Sequence, residues 1–206
     1  CRASASRPRR EVAIAATAIH FLPLWAEIAL LPVVATFMVF ACVMSVAVIK
    51  RLLMGKFEPV IKPLWSVYVW NNELVNGIYE GLAAPMLSPT LGTPFICWYL
   101  RRLGCCIGKH VFLETELFSE FDLVEIGDYA ALGLGVVVQN HLFEDRIMKS
   151  SHLKIGDECS VGNMSVVLYD SEMKQGSSIG SLSLLMKGET LPERTRWIGI
   201  PTSQVR

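Results

Sequence analysis

The chain has 206 residues, 52% of them hydrophobic and 18% charged, with 19 basic side chains balancing 19 acidic ones and a mean hydropathy of +0.41. That composition excludes a disordered tail, which needs few apolar residues and a high net charge. It also excludes a collagen-like chain and a nucleic-acid binder drawn by basic excess. The charged fraction falls below the usual ~25%, and the shortfall is local.

Val12 to Ile49 spans 38 residues with one charge, Glu27, whereas residues 50–206 carry 15 basic and 17 acidic side chains. At ~1.5 Å per residue, such a helical stretch covers roughly 57 Å, about twice a hydrocarbon core of about 30 Å. The expectation is a transmembrane α-helical hairpin over 12–49, its turn near 27–32 beside Glu27 and Pro32. Arg2, Arg7, Arg9 and Arg10 lie in the basic flank 1–11, and Lys50, Arg51 and Lys56 follow the hairpin. Basic residues at both ends predict a multi-pass membrane protein whose soluble domain is cytoplasmic. The rival is a signal anchor, with an apolar stretch Val12 to Ala26 and a single span from Ile28 to Ile49. His20 reads as a polar packing residue within the first span, and a start at Cys1 rather than Met suits a piece of a longer protein.

Residues 50–103 form a connector rich in Trp65, Tyr68, Trp70, Tyr79, Trp98 and Tyr99 and interrupted by five prolines from Pro59 to Pro94. Leu64, Val67, Tyr68, Leu74, Val75, Ile78 and Leu82 recur at helical spacing, which predicts a helix over about 64–83. Two readings stand for it. It is an interfacial amphipathic helix at a lipid bilayer, or a helix packed on the domain that follows.

From residue 104 to 206 the period changes. Ile155, Val161, Val167, Met173, Ile179 and Leu185 arrive every sixth position, with Gly156, Gly162 and Gly180 following. Four places after each stands Cys159, Ser165, Ser171, Ser177, Ser183 or Glu189. Ile126, Leu132 and Val138 repeat the pattern, with Gly127, Gly133, Ala130 and Val136 in the matching places, and Ile107, Gly108 and Leu113 leave a fainter trace. Such hexads mark a parallel β-helix in which three short strands make one coil of 18 residues, so the domain is mostly β with about four coils. The register breaks between Val138 and Ile155, a separation of 17 rather than 18. A loop over 139–154 therefore leaves the coil there, carrying Gln139, Asn140, His141, Glu144, Asp145 and Arg146. Loops on a rigid scaffold are where chemistry concentrates.

The hexad domain resembles left-handed parallel β-helix acyltransferases of the hexapeptide-repeat superfamily, including the closing Trp197-Ile198-Gly199-Ile200-Pro201. Gly92-Thr93-Pro94-Phe95, Glu120 to Val124, His141 to Arg146, Ser183 to Glu189 and Leu191-Pro192 further resemble the C-terminal region of nonribosomal-peptide-synthetase-like proteins of the ε-poly-lysine synthetase type. This likeness implies an acyl or aminoacyl transferase that forms amide bonds from a carrier-bound phosphopantetheine thioester, or from coenzyme A, without a cofactor of its own. It implies carrier and adenylation domains as partners, and sister β-helix domains in tandem or as a trimer.

Thioester aminolysis needs a base and donors for the developing oxyanion. His141 is the base to expect, since imidazole titrates near neutrality. Glu144 or Asp145 would hold its tautomer, while Asn140 and Arg146 would bind substrate, the guanidinium gripping a carboxylate or phosphate. A blander reading stands beside this one: Glu144, Asp145 and Arg146 brace the loop, His141 caps it, and the domain is a non-catalytic assembly or docking module. His110 reads as an exposed residue of the first coil, the spacing from His141 to His152 is too long for a local zinc pair, and no metal is expected. Cys159 fits a small corner slot, and Cys42, Cys97, Cys105 and Cys106 form no C-x-x-C pair.

Overall fold

Pro23 and Glu27 mark the start of a helix rather than a turn. A computed structural model describes residues 23–205 and runs α1 without interruption from Leu24 to Leu53. The Pro23 carbonyl accepts the first-turn amides of Ala26 (2.7 Å) and Glu27 (3.3 Å). Glu27 lies in the first turn and Lys50 and Arg51 in the last, so the charges complement the helix dipole at both ends. Pro32 lies within the helix, and Thr36 Oγ1 donates to its carbonyl at 2.8 Å. One internal proline costs about 3 kcal/mol, less than the many backbone groups that a turn would strip of partners.

The turn expected at 27–32 is therefore absent, and with it go the two-span hairpin and the multi-pass, cytoplasmic placement that rested on it. Among the described residues one helix, Trp25–Leu53, is long and apolar enough to cross a membrane by length and composition. Residues 12–22 of the expected first span, His20 among them, and the basic flank 1–11 lie outside the described residues.

The chain divides into two units after Cys42. In the second unit the end of α1 buries Val43, Val46 and Ala47 in the core. Strand β1 (Val60–Pro63) follows, then α2 (Val67–Ile78), N-capped by Ser66 Oγ, which accepts the Val69 amide at 3.4 Å. Helix α2 continues through a π-helical turn, Tyr79–Ala83, into α3 (Ala84–Leu87). Helix α4 (Pro94–Leu103) opens on Thr93 and Pro94 and ends at Gly104. The helix expected over 64–83 thus runs from Val67 to Ala83. It turns Val69, Asn72, Val75, Asn76, Tyr79 and Ala83 inward, which is the packed arrangement.

Five coils follow. The first holds β2 (Cys106–Ile107), β3 (Phe112–Leu113) and a 3-10 turn, Phe121–Leu123. The second holds β4 (Val124–Ile126), β5 (Ala131–Leu132) and β6 (Val137–Gln139). A hairpin, β7 (His141–Glu144) and β8 (Ile147–Ser150), then leaves the coil. The third coil is β9 (Leu153–Ile155), β10 (Ser160–Val161) and β11 (Val166–Leu168). The fourth is β12 (Glu172–Met173), β13 (Ser178–Ile179) and β14 (Leu184–Leu185). The fifth is β15 (Thr190–Leu191) and β16 (Arg196–Ile198), on which β17 (Ser203–Val205) folds back antiparallel.

Strands stack in three faces, ordered β2-β4-β9-β12-β15, β3-β5-β10-β13-β16 and β6-β11-β14, and parallel within each. Every sixth-position residue from Ile126 to Leu191 is buried, and Cys159, Ser165, Ser171, Ser177 and Ser183 fill the corners beside them. The glycines that follow the hits are explained by the neighbouring coil. Asp157 Oδ1 caps the Asp128 amide at 2.7 Å, and a Cβ at Gly127 would overlap that same oxygen.

The count is five coils rather than about four, because the faint trace at Ile107 and Leu113 is a whole coil and Trp197 takes an aliphatic place in the last. The excursion is also larger than a one-residue slip. Val138 pairs with Val167, 29 positions on, whereas Val167 pairs with Leu185, 18 positions on. Eleven residues are therefore inserted, and they form the hairpin. A second break lies earlier: Ile107 pairs with Ile126, 19 positions on, so the first coil holds one extra residue. Strand β1 pairs antiparallel with β8, making a three-stranded sheet β1-β8-β7.

Candidate active site

His141 opens β7, and its ring is anchored by a carboxylate from another coil. Nδ1 lies 2.8 Å from Glu120 Oε2, with 13% of the His141 side chain and 1% of the Glu120 side chain exposed. Glu120 precedes the 3-10 turn with φ +39°, left-handed backbone that a β-carbon disfavours. Its other oxygen, Oε1, accepts the side-chain amides of Asn72 (2.9 Å) and Asn76 (3.2 Å), one helical turn apart on the inward face of α2. The Tyr79 hydroxyl extends the seam, donating to the Glu116 carbonyl at 2.7 Å, and its ring packs edge-on against Phe121.

These partners decide the protonation states. Burial alone would raise the Glu120 carboxyl, but the His141 hydrogen bond and charge, with donors from Asn72 and Ser119, hold it below the ordinary carboxylate range. Burial alone would lower His141, but the Glu120 hydrogen bond and charge overcome it and raise the imidazole, with Glu73 and Glu80 adding to the rise. Glu120 stays ionised and accepts only, so the neutral imidazole carries its proton on Nδ1. The lone pair is left on Nε2, which has no hydrogen-bond partner among the described residues.

The residues expected to orient His141 do other work. Side chains alternate along a strand, so Glu144, three places from His141, points to the opposite face. There it pairs with Lys149 (3.1 Å) and Lys187 (2.5 Å), strapping the hairpin to the fourth coil. Phe143 shares the histidine's face, its ring centroid 5.1 Å from the imidazole. Asp145 and Arg146 are the two residues of the hairpin turn, with φ of +50° and +62°, as a tight primed turn requires. The Arg146 carbonyl accepts the Leu64 amide at 2.9 Å. Asn140 is fully buried at the hairpin's root, and its amide donates to the Leu123 (3.1 Å) and Ser151 (3.2 Å) carbonyls. Its donors are spent on the chain itself. Of the expected set, only His141 meets a buried carboxylate.

By sequence alone Asn72 and Asn76 have no part and Glu120 only a place in a stretch that carries the resemblance, yet each leaves a trace. Six places after Leu113 the hexad calls for an aliphatic residue, and Ser119-Glu120 stand there instead. Asn72 and Asn76 interrupt the apolar face that Val75 and Tyr79 define. Cys159 lies buried in its corner with Sγ 3.1 Å from the Lys174 carbonyl, and the five described cysteines are unbridged.

No protein-family model matches the chain. Delta-poly-L-ornithine synthetase of Acinetobacter baumannii (strain AB307-0294) is 40% identical over 161 residues, 78% of this chain. The chain spans 12% of that protein's length. Among solved structures, a maltose O-acetyltransferase from Clostridium difficile 630 superposes with a TM-score of 0.51 at 16% identity, covering 65% of this chain and 86% of the other. A hexapeptide-repeat-containing acetyltransferase from Vibrio cholerae O1 biovar eltor, complexed with acetyl coenzyme A, has a TM-score of 0.42 at 16% identity, covering 53% of this chain and 74% of the other. The expected kinship with poly-amino-acid synthetases is met: the chain is homologous to one segment of delta-poly-L-ornithine synthetase, and its parallel β-helix shares the fold of the maltose O-acetyltransferase.

Proposed function

We propose that this chain is the acyl- or aminoacyl-transferring part of a longer synthetase, forming amide bonds from a thioester donor with His141 as general base. The observation that carries this reading is the buried Glu120–His141 pair with Nε2 free to take a proton. In the step, the acceptor amine attacks the thioester carbonyl and the N–C bond forms as the C–S bond breaks. Nε2 takes the amine proton and returns it to the departing thiolate, so the imidazole ends as it began.

The donor in this reading is a phosphopantetheine thioester on a carrier domain, loaded by an adenylation domain of the same longer protein, with coenzyme A as the simpler equivalent. The coil sense is left-handed, and sister β-helix domains, in tandem or as a trimer, complete the donor groove. The name of the relative speaks of an amine-bearing polymer. Three carboxylates, Glu120, Glu73 and Glu80, bear on His141, which suits an acceptor that carries an ammonium group.

The test is a carrier-loaded donor assay with His141→Ala. Loss of amide formation by about a hundredfold or more is expected. Unchanged product formation would remove the catalytic role and leave a docking module.

A further inference from the structure

Glu120 and His141 belong to different segments, and both lead back to the end of α1. Two residues beyond Glu120, Asp122 Oδ2 accepts the Phe57 amide at 2.9 Å. Three residues beyond Phe57, Val60 stands in register with Ser150, and its amide donates to Ser150 Oγ at 3.3 Å. Ser150 in turn is the register partner of His141, whose ring returns to Glu120 at 2.8 Å. Chain and hydrogen bonds thus close a ring through both members of the pair.

The ring is locked at Asp122 by Lys50 in the last turn of α1. Lys50 is 2% exposed, is paired with the same Oδ2, and has its ammonium 5.0 Å from the Phe57 ring centroid. Gly104 makes room for the carboxylate, since a Cβ there would overlap Asp122 Oδ1. A buried ion pair is a poor source of stability compared with apolar side chains of the same volume, and its better-attested use is to specify geometry. Here the segment it pins is the one that needs pinning. Glu120 is held in left-handed backbone, which persists only when the structure on both sides over-determines it.

We propose that Lys50, by holding Asp122, is a positioning residue for the Glu120–His141 pair. The proposal rests on His141 being the working group, and its test is independent of turnover. The full chain carries four histidines, so ¹³C-labelled histidine resolves His141, assigned by the signal that His141→Asn removes. The charges that bear on the ring are Glu120 from the 3-10 junction, Glu73 from α2 and Glu80 from the π-helical turn, and the substitutions leave all three in place.

In Lys50→Met the His141 titration midpoint moves down toward the ordinary histidine value. The same variant loses about ten- to a hundredfold in kcat with KM unchanged, as a misplaced catalytic group does. The double variant Lys50→Met/Asp122→Asn leaves no unpaired buried charge. It is expected to fold and to show the same downward shift, because an amide is not held in one orientation. Leu191→Ala in the fifth coil is the control: it lowers thermal stability and leaves His141 where it was. If either Lys50 variant folds with His141 titrating as in the unaltered chain, the proposal is overturned. A shifted titration in a chain that stays active as His141→Ala would leave the coupling standing and remove the catalytic role instead.

Discussion

Glu120 spends both of its oxygens, one on two asparagine amides and one on imidazole, and that division makes it an orienter rather than an acid. A carboxylate so satisfied stays ionised and keeps the base form of His141 in one tautomer. Glu120→Gln removes the charge and keeps the shape. The acid limb of the kcat/KM profile is expected to move to lower pH, because His141 loses the partner that raises it, and the plateau to fall at least tenfold. A pH–rate profile of the variant checks both. Arg146 bears on the competing assignment. Its φ of +62° is one that glycine adopts freely, so Arg146→Gly is expected to raise stability by about 1 kcal/mol in urea melts. If activity is kept, the guanidinium does not hold substrate.

At the scale of elements, each coil buries its aliphatic residue only because another coil lies above or below it. Leu132 is fully buried between rows that pair it with Leu113 and Val161. Leu132→Ala is expected to cost about 2–5 kcal/mol, measured as a lowered denaturant midpoint. The six-residue period alone makes this architecture legible, because an inward residue, a glycine and a small corner residue recur for separate steric reasons. The hairpin was legible only as a gap. A break in a one-dimensional period reports that residues leave the coil, not that they pair with β1, whose residues lie 84 to 90 positions before their partners. The first helix departs from its local signals for a related reason. Glu27 and Pro32 suggest a turn, but an acid near a helix start and a proline inside a long apolar helix are both tolerated.

For the molecule as a whole, the proposed role of His141 sets activity and stability against each other. In the unfolded chain Glu120 and His141 titrate near their ordinary values of 4.5 and 6.5, and folding lowers the first and raises the second. The imidazolium's contribution to stability is fully present below the ordinary histidine value and is lost as pH rises through the raised one. The carboxylate's contribution is present above its ordinary value and is lost as pH falls through the lowered one. Stability from this pair is therefore greatest between 4.5 and 6.5, whereas the base form of His141 appears only above its raised value. Denaturant midpoints measured across pH should fall on the alkaline side as amide formation rises, and Glu120→Gln should flatten that alkaline fall. By itself the sequence determined the repeating coil, the place where the coil is interrupted and the histidine within the interruption, because all three are periodic or local. The tertiary structure alone decided which carboxylate meets that histidine. Glu120 is 21 positions away and is held by asparagines 44 and 48 positions before it, and no local pattern records which distant segments fold onto one another.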